Sequence, residues 1–312
     1  MAVRAFGGVV VSVVTPFKAD ELIDFTAWQK ILETLAEVGV EGVFALGPEG
    51  EPHALSEEER MVALRFCRQT LGSRACLYGN IGAASTREAI RLAQRAEGEG
   101  VDAAIVVPPG FPVLSADEMI DHFVDVCQAV RLPVMGYNAR GNGAALSPEH
   151  GKRISEICEN FAGVCEGSPV LDRTRSWLTT AAGPKAATRS FAVFSANESR
   201  ALASLEVGCL GLVSAAGNVA PRLVVELFRA FRGGRAKDAE RLQELVEALV
   251  QVIGRGVPVL KEAMRVAGLP AGLCRRPSAP VSQSAREPLQ QILRRLREGH
   301  YLPLAAAGGA GS

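Results

Sequence analysis

Four side chains in three short segments could carry proton-transfer or nucleophilic chemistry: Glu49, Tyr137, Cys165 and Glu166. Two carboxylates in one pocket can divide the roles of general acid and general base, with a tyrosine as a third member. The alternatives are that Glu49 is a solvated loop residue and that Glu166 is structural. Cys165 could act as a nucleophile, but a single cysteine in an apolar run is more often a small buried hydrophobe.

Lysine is scarce in this chain. Of the 34 basic residues only six are lysines, namely Lys18, Lys30, Lys152, Lys185, Lys237 and Lys261. Any reaction that needs a neutral amine, such as Schiff-base formation with a carbonyl compound, must use one of these six. Their positions in the fold therefore decide whether that chemistry is available.

The cysteines and histidines favour neither a disulfide framework nor a metal site. The seven cysteines are scattered without a C-x-x-C pair, and the four histidines are far apart. A cluster of Cys165, Glu49 and His53 is the one metal alternative. The glycine-rich segment 47–50 could instead hold a phosphate at a helix N-terminus, although Glu49 and Glu51 oppose an anion there. We expect no metal and no cofactor.

The overall charge argues against nucleic-acid and membrane-surface roles. The chain has 312 residues, with 34 basic against 34 acidic side chains, whereas both roles need a basic excess. No apolar run reaches the roughly 18 residues of a membrane span, and the run at 9–14 is better interpreted as a strand than as part of a signal peptide. We expect a cytoplasmic protein that binds a small-molecule substrate, with no nucleic acid and no membrane as partner.

Short apolar runs alternate with amphipathic segments along most of the chain, which is typical of βα units and a parallel sheet. Eight runs are predicted as strands, at 9–14, 42–46, 75–78, 103–107, 133–137, 163–165, 191–194 and 210–213. Eight βα units close into a (β/α)8 TIM barrel, so the fold class is α/β.

Serine residues mark the predicted helix starts. Three capping boxes are expected, Ser56 with Glu59, Ser85 with Glu88 and Ser115 with Glu118, followed by two serine caps before proline, Ser147-Pro148 and Ser168-Pro169. Trp28 belongs to an apolar stripe at helical spacing, which predicts a core residue.

The strands stop after Asn218, and helices are predicted at 221–232, 236–253, 258–267 and 286–298. We therefore expect a barrel over residues 1–232, a helical C-terminal extension packed on the barrel over 233–300, and a disordered tail over 301–312, where the sequence becomes small and glycine-rich.

In such a barrel the chemistry lies at the carboxyl ends of the strands. The side chains that follow the predicted strands include neither lysine nor histidine. Among them are Gly47, Pro48, Glu49, Gly50, Tyr137, Cys165 and Ser214.

These residues resemble the dihydrodipicolinate synthase and N-acetylneuraminate lyase family from about Gly8 to Pro277. The motifs that carry the resemblance are Thr15-Pro16-Phe17, Gly47-x-x-Gly50-Glu51, Leu55-Ser-x-Glu-Glu, Ser85-Thr-Arg-Glu-Ala, His122-Phe123, Pro133-Val-x-x-Tyr-Asn138, Gly208-x-x-Gly-x-x-Ser214 and Asn218-Val-Ala-Pro221.

The resemblance implies a barrel that assembles as a homotetramer or homodimer and condenses or cleaves small 2-oxo acids, usually pyruvate. It implies a Schiff base on a lysine of the sixth strand, with Tyr137 as proton carrier. The glycine-rich loop would hold the substrate carboxylate. The implied substrate-binding positions are Gly47, Pro48, Gly50, Phe111, Arg140 and Ser214.

The sequence departs from the family pattern at the decisive position, because Cys165 stands where the resemblance implies the Schiff-base lysine. No other lysine is expected to replace it. Lys152 falls on the helix before the sixth strand, Lys185 at the entry to the seventh strand on the opposite rim, and Lys261 in the C-terminal helices.

Three further positions depart as well. Pro48 and Glu49 replace hydroxyl residues of the carboxylate loop, so pyruvate should bind poorly. Phe111 keeps the ring of a family tyrosine without its hydroxyl, and Arg140 is displaced from the family's arginine position.

Two hypotheses follow from this pattern. The chain is a divergent lyase or aldolase-like enzyme that acts on a small 2-oxo acid or related carbonyl compound without a lysine adduct, with Tyr137 moving protons and Glu49 or Cys165 in a new role. Alternatively, it is a catalytically silent member that binds a ligand or serves as a regulatory or scaffold subunit.

Overall fold

Eight parallel strands form a closed barrel in the order β1 to β8. The computed structural model describes residues 6–110, 113–138, 145–181, 191–279, 281–282 and 286–303. The strands are β1 (Gly8–Ser12), β2 (Gly42–Ala45), β3 (Cys76–Asn80), β4 (Ala103–Val106), β5 (Val134–Asn138), β6 (Phe161–Glu166), β7 (Ala192–Ser195) and β8 (Gly211–Ser214). Each overlaps one of the eight predicted runs, so the predicted TIM barrel is confirmed.

Helices follow the strands and cover the outside of the barrel. They are α1 (Phe25–Val38), α2 (Glu57–Leu71), α3 (Thr86–Gly98), α4 (Ala116–Ala129), α5 (Pro148–Ile157), α6 (Leu171–Ser176), α7 (Ala201–Glu206) and α8 (Pro221–Arg232). Three further helices follow the barrel: α9 (Ala236–Ile253), α10 (Val257–Val266) and α11 (Arg286–Glu298). No helix in the described part of the chain is long and apolar enough to cross a membrane.

Most of the predicted helix caps form. The hydroxyls of Ser56, Ser85 and Ser115 each accept the backbone N–H of the predicted glutamate. Ser147 caps α5 with Pro148 in its first turn. The cap predicted at Ser168-Pro169 is wrong.

Helix α6 begins only at Leu171, and Val170 occupies its N-cap position. The Ser168 hydroxyl instead accepts the N–H of Val170, which is a local turn of the kind that serine commonly forms.

Alternation along the strands divides the core into two layers. Val9 and Val11 pack outward against the helices, where Trp28 is fully buried as predicted. The opposite face fills the barrel interior. The interior cluster comprises Val10, Phe44, Cys76, Tyr78, Ala103, Ile105, Met135, Tyr137, Cys165, Ala192, Phe194 and Val213.

The C-terminal helices pack on the barrel and on one another, with α9 against α8 and α11 against α9 and α10. Tyr301 and Leu302 are buried, and the Tyr301 hydroxyl accepts a hydrogen bond from Arg241 at 3.1 Å. The packed structure therefore continues past residue 300, where the sequence predicted the tail to begin. Residues 304–312 lie outside the described part of the chain.

Candidate active site at the barrel mouth

Tyr137 and Cys165 are neighbours at the carboxyl ends of β5 and β6. Their Cα atoms are paired in the strand register, and both side chains belong to the interior cluster. The Tyr137 ring lies 5.6 Å from the ring of Phe44, measured between centroids. The fold thus brings together two of the predicted site residues from separate βα units.

The Tyr137 phenol is neutral at physiological pH. Burial raises its pKa well above the ordinary value, and the nearby charges of Glu49, Cys165 and Glu198 raise it further. A protonated phenol can donate a hydrogen bond to a bound molecule.

Cys165 is almost completely buried, with 1% of its surface exposed. Burial raises the pKa of its thiol strongly, and the charges of Glu166 and Cys209 raise it further. Because the thiolate is the reactive form of cysteine, this environment favours the buried hydrophobe over the nucleophile.

Glu49 lies in a short 3-10 helix, Pro48–Gly50, that directly follows β2. Its side chain is partly buried and accepts a hydrogen bond from the hydroxyl of Ser12 at the end of β1. Burial raises the pKa of Glu49, while the Ser12 hydrogen bond partly opposes that rise. Glu49 is therefore an enclosed carboxyl group rather than a solvated loop residue.

The backbone around Glu49 is tightly constrained. Leu46 and Glu51 flank the 47–50 segment with φ angles of 60° and 52°, a left-handed conformation that non-glycine residues adopt at a cost. A Cβ at Gly47 would lie 2.5 Å from the Ser12 hydroxyl oxygen, so only glycine fits beside this hydrogen bond. The carbonyl of Gly50 accepts the Thr15 hydroxyl at 2.8 Å.

Lys261 fixes the far end of the same loop. Its ammonium group donates to the Glu51 carboxylate at 2.6 Å and to the carbonyls of Thr15 and Leu273 at 2.7 and 2.6 Å. The sequence placed Lys261 only in the C-terminal helices, whereas the structure extends it from α10 to the loops after β1 and β2. All three of its protons are engaged, because the ammonium has three donors and three acceptors.

Glu198 is a buried carboxylate of the site that the sequence analysis missed. It follows β7 and accepts the Ser214 hydroxyl together with the backbone N–H groups of Ala215 and Ala216, each at 3.0 Å. Burial raises its pKa to about 7 despite these donors, and the charge of Glu49 adds to the rise. Glu198 lies four residues beyond the end of the predicted seventh strand, 191–194, and was not among the predicted site residues.

Glu49 and Glu166 do not form the carboxylate pair that the sequence analysis weighed against a structural role for Glu166. Glu166 accepts hydrogen bonds from the side chains of Asn138, Arg173 and Trp177 at 2.7 to 3.1 Å. Because Glu166 is next to Cys165 on β6, its side chain points away from the interior cluster toward α6. Glu166 is therefore structural, and the carboxylate that interacts with Glu49 is Glu198.

Two predicted substrate-binding residues, Phe111 and Arg140, lie outside the described residues. Within the described ranges, no three His, Cys, Asp or Glu side chains are grouped to hold a metal ion. The alternative metal cluster of Cys165, Glu49 and His53 therefore does not form. The other predicted substrate-binding residues lie at the same end of the barrel as Tyr137. They are Gly47, Pro48, Gly50 and Ser214.

The arrangement offers a neutral phenol, two carboxyl groups with raised pKa values and a neutral thiol around one opening. A family model described as the dihydrodipicolinate synthetase family matches residues 5–296. The chain belongs to the dihydrodipicolinate synthetase family. The match includes every residue of the site described above.

Relatives in this family have synthase or aldolase names. The chain is 32% identical to a 4-hydroxy-tetrahydrodipicolinate synthase of Archaeoglobus fulgidus, over 93% of this chain and 98% of the relative. It is 29% identical to "Putative 2-dehydro-3-deoxy-D-gluconate aldolase YagE" of Escherichia coli, over 94% and 97%. These family members are lyases.

Solved structures of the family share the fold closely. The structure of YagE from E. coli K12, solved in complex with pyruvate, superposes with a TM-score of 0.88 at 29% identity, over 94% of this chain and 99% of that one. The 4-hydroxy-tetrahydrodipicolinate synthase of Methylacidiphilum fumariolicum gives 0.88 at 28% identity, over 96% and 100%.

Proposed function

We propose that this chain is a lyase or aldolase of the dihydrodipicolinate synthetase family that acts on a small 2-oxo acid or related carbonyl compound without a lysine Schiff base. The observation that carries the proposal is the residue beside Tyr137 on β6, which is a buried, neutral cysteine. A thiol cannot form the iminium that would serve as an electron sink.

The positions of the lysines support this proposal. Lys18, Lys30, Lys152 and Lys237 are exposed. Lys261 is buried and donates all three of its protons to protein acceptors. Lys185 lies outside the described residues.

Tyr137 and Glu49 could perform the reaction by acid–base chemistry alone. In the cleavage of a β-hydroxy carbonyl compound, the Glu49 carboxylate takes the hydroxyl proton and the carbon–carbon bond breaks. The electron pair of that bond moves to the carbonyl oxygen, which becomes an enolate that accepts a hydrogen bond from Tyr137. Protonation of the enolate carbon by the Glu49 carboxyl group then releases the product and regenerates the carboxylate.

Glu49 is suited to this role by its surroundings. A base is most effective when its pKa lies near the working pH, and burial moves Glu49 in that direction. Ser12 hydrogen-bonds one of its carboxylate oxygens, Oε2, and so orients the other. Tyr137 also interacts electrostatically with Glu49.

The alternative function is a silent ligand-binding or regulatory subunit, and one experiment separates the two. A thermal-shift screen of 2-oxo acids, aldehydes and sugar acids identifies a ligand, which is then assayed for turnover by the wild type and by Glu49→Gln. We expect turnover that Glu49→Gln reduces by about a hundredfold or more. Binding that requires Glu49, with no turnover by the wild type, would favour the silent subunit.

We also propose a homotetramer or homodimer, which family membership supports. Several large apolar side chains are exposed on the single chain, among them Val113 at 79%, Val170 at 57% and Ile157 at 56%. Light scattering across a concentration series tests this, and a monomer throughout would contradict it. The seven free cysteines suit a reducing compartment such as the cytoplasm.

A further inference from the structure

Two cysteines far from the barrel mouth lie close together, where the end of α5 packs against the end of α4. Cys127 lies in the last turn of α4, and Cys158 is the C-cap residue of α5. Both are free and buried, and each thiol shifts the pKa of the other. The Cys158 sulfur also lies 3.9 Å from the carbonyl oxygen of Val124, one turn before Cys127 on α4.

The surrounding backbone holds this thiol pair in place. The side-chain amide of Asn160 donates to the carbonyls of Cys127, Val130 and Leu132 at 2.9 to 3.0 Å. It therefore ties the segment after α5 to the C-terminal end of α4. The N–H of Cys158 donates to Ile154 at 2.8 Å, which continues the helical pattern up to the cysteine. Both sulfurs are thus carried by ordered backbone on each side.

The two thiols are not equivalent. The interaction with Cys127 lowers the pKa of Cys158, with burial opposing that change, whereas the same interaction together with burial raises the pKa of Cys127. Cys158 also lies nearer the surface, because its chain neighbours Ile157 and Glu159 are exposed. Cys158 is accordingly the thiol that an oxidant meets first.

We propose that Cys127 and Cys158 form a redox modification site, which a peroxide converts into an intramolecular disulfide. The Cys158 thiolate attacks one peroxide oxygen, the O–O bond breaks, and Cys158 becomes a sulfenic acid as water leaves. The Cys127 sulfur then displaces the sulfenic hydroxyl as a second water. Two thiols and one peroxide thus give one disulfide and two waters, and a dithiol reductant reverses the change.

The cross-link would enclose the segment that carries Tyr137. Residues 127–158 contain β5 and the whole connection to α5, and β6 with Cys165 follows directly. A bond between these positions restricts the unfolded chain and joins the ends of two neighbouring barrel helices. This inference does not depend on the proposed reaction, since neither cysteine belongs to the site at the barrel mouth.

The test treats the full-length protein with hydrogen peroxide, denatures it, blocks free thiols with N-ethylmaleimide and maps the cysteines by mass spectrometry. We expect a loss of about 2 Da and one peptide pair joined through Cys127 and Cys158. The thermal midpoint should rise by about 5 °C or more, and dithiothreitol should reverse this rise. The buried Cys67 serves as an internal control that remains free.

Two variants strengthen the assignment. In the Cys127→Ser variant the cross-link should be lost, and dimedone should trap Cys158 as a sulfenic acid. If the serine variant does not fold, Cys127→Ala is used in its place. Recovery of both wild-type cysteines as maleimide adducts after peroxide treatment would overturn the proposal. So would a cross-link from Cys158 to any other cysteine.

Discussion

Tyr137 and Cys165 lie side by side across the β5–β6 pair, with a protonated phenol next to a thiol that burial keeps protonated. In this family the resemblance implies an amine at the second of these positions. The residue beside Tyr137 here is a cysteine, and the carboxyl groups that interact with Tyr137 within the described ranges are Glu49 and Glu198. The chemistry of the site is therefore expected to depend on proton transfer.

The low reactivity of Cys165 can be measured directly. In the native protein at neutral pH, N-ethylmaleimide should modify Cys274 at least about tenfold faster than Cys165. Cys274 is only partly buried and its pKa is raised to about 11, whereas Cys165 is enclosed and its pKa is raised further. Peptide mapping over time provides the rates. Modification of both residues at similar rates would support a nucleophilic role for Cys165.

Tyr137→Phe should separate catalysis from stability. The substitution keeps the ring contact with Phe44 and removes only the hydroxyl, so the melting temperature should change little. Turnover of the identified substrate should fall by about a hundredfold or more, because proton transfer is lost. Tyr78→Phe, in the other tyrosine of the interior cluster, is the matched control. Equal losses in both variants would argue against a proton-transfer role for Tyr137.

Glu198 should leave a signature in the pH dependence of stability. Its pKa rises from 4.5 in the unfolded chain to about 7 in the folded protein, because of burial. Between these values the folded state holds a proton that the unfolded state has lost, so this group lowers stability as the pH rises, by at most about 3 kcal/mol.

The substitution Glu198→Gln removes this titration. Urea unfolding of wild type and variant at a series of pH values from about 4.5 to 7.5 measures the difference in free energy of unfolding. We expect the variant to lose less stability than the wild type over this interval. Parallel curves for the two proteins would show that Glu198 titrates normally.

Breaking the Lys261–Glu51 ion pair should be costly. Both side chains are almost fully buried, at 3% and 0% exposed, so Lys261→Met leaves an uncompensated carboxylate and should lower the free energy of unfolding by about 3–5 kcal/mol. Adding Glu51→Gln should recover part of that loss. The exposed Arg65 of the Arg65–Glu99 pair is the control, and Arg65→Met should cost less than about 1 kcal/mol. A cost for Lys261→Met as small as the control's would show that the pair does not stabilise the loop.

The barrel could be predicted because its signals are local. Strand periodicity, serine caps and the apolar stripe around Trp28 each act over a few residues, and neighbouring βα units repeat them. The Ser168-Pro169 cap failed because Ser168 formed a turn of its own instead of starting α6. Local propensity cannot distinguish those two uses of a serine.

The site could be predicted only in part. Glu49 follows a predicted strand, and Tyr137 and Cys165 are the last residues of two others. Because the carboxyl ends of all the strands meet at one end of a TIM barrel, these three residues could be predicted to lie together. The partners of these residues come from distant parts of the chain: Ser12 is 37 residues from Glu49, and Lys261 is 210 residues from Glu51. Single-sequence patterns carry no information about such contacts, which is why Glu198 was missed.

Borohydride trapping with pyruvate tests the central claim most directly. The protein is incubated with pyruvate, reduced with sodium borohydride and analysed as intact protein and as peptides by mass spectrometry. We predict no stable adduct in the wild type, and no restored pyruvate turnover in Cys165→Lys alone, because Pro48 and Glu49 remain in the carboxylate loop. A mass gain on any lysine of the wild type, Lys185 and Lys261 included, would contradict the account.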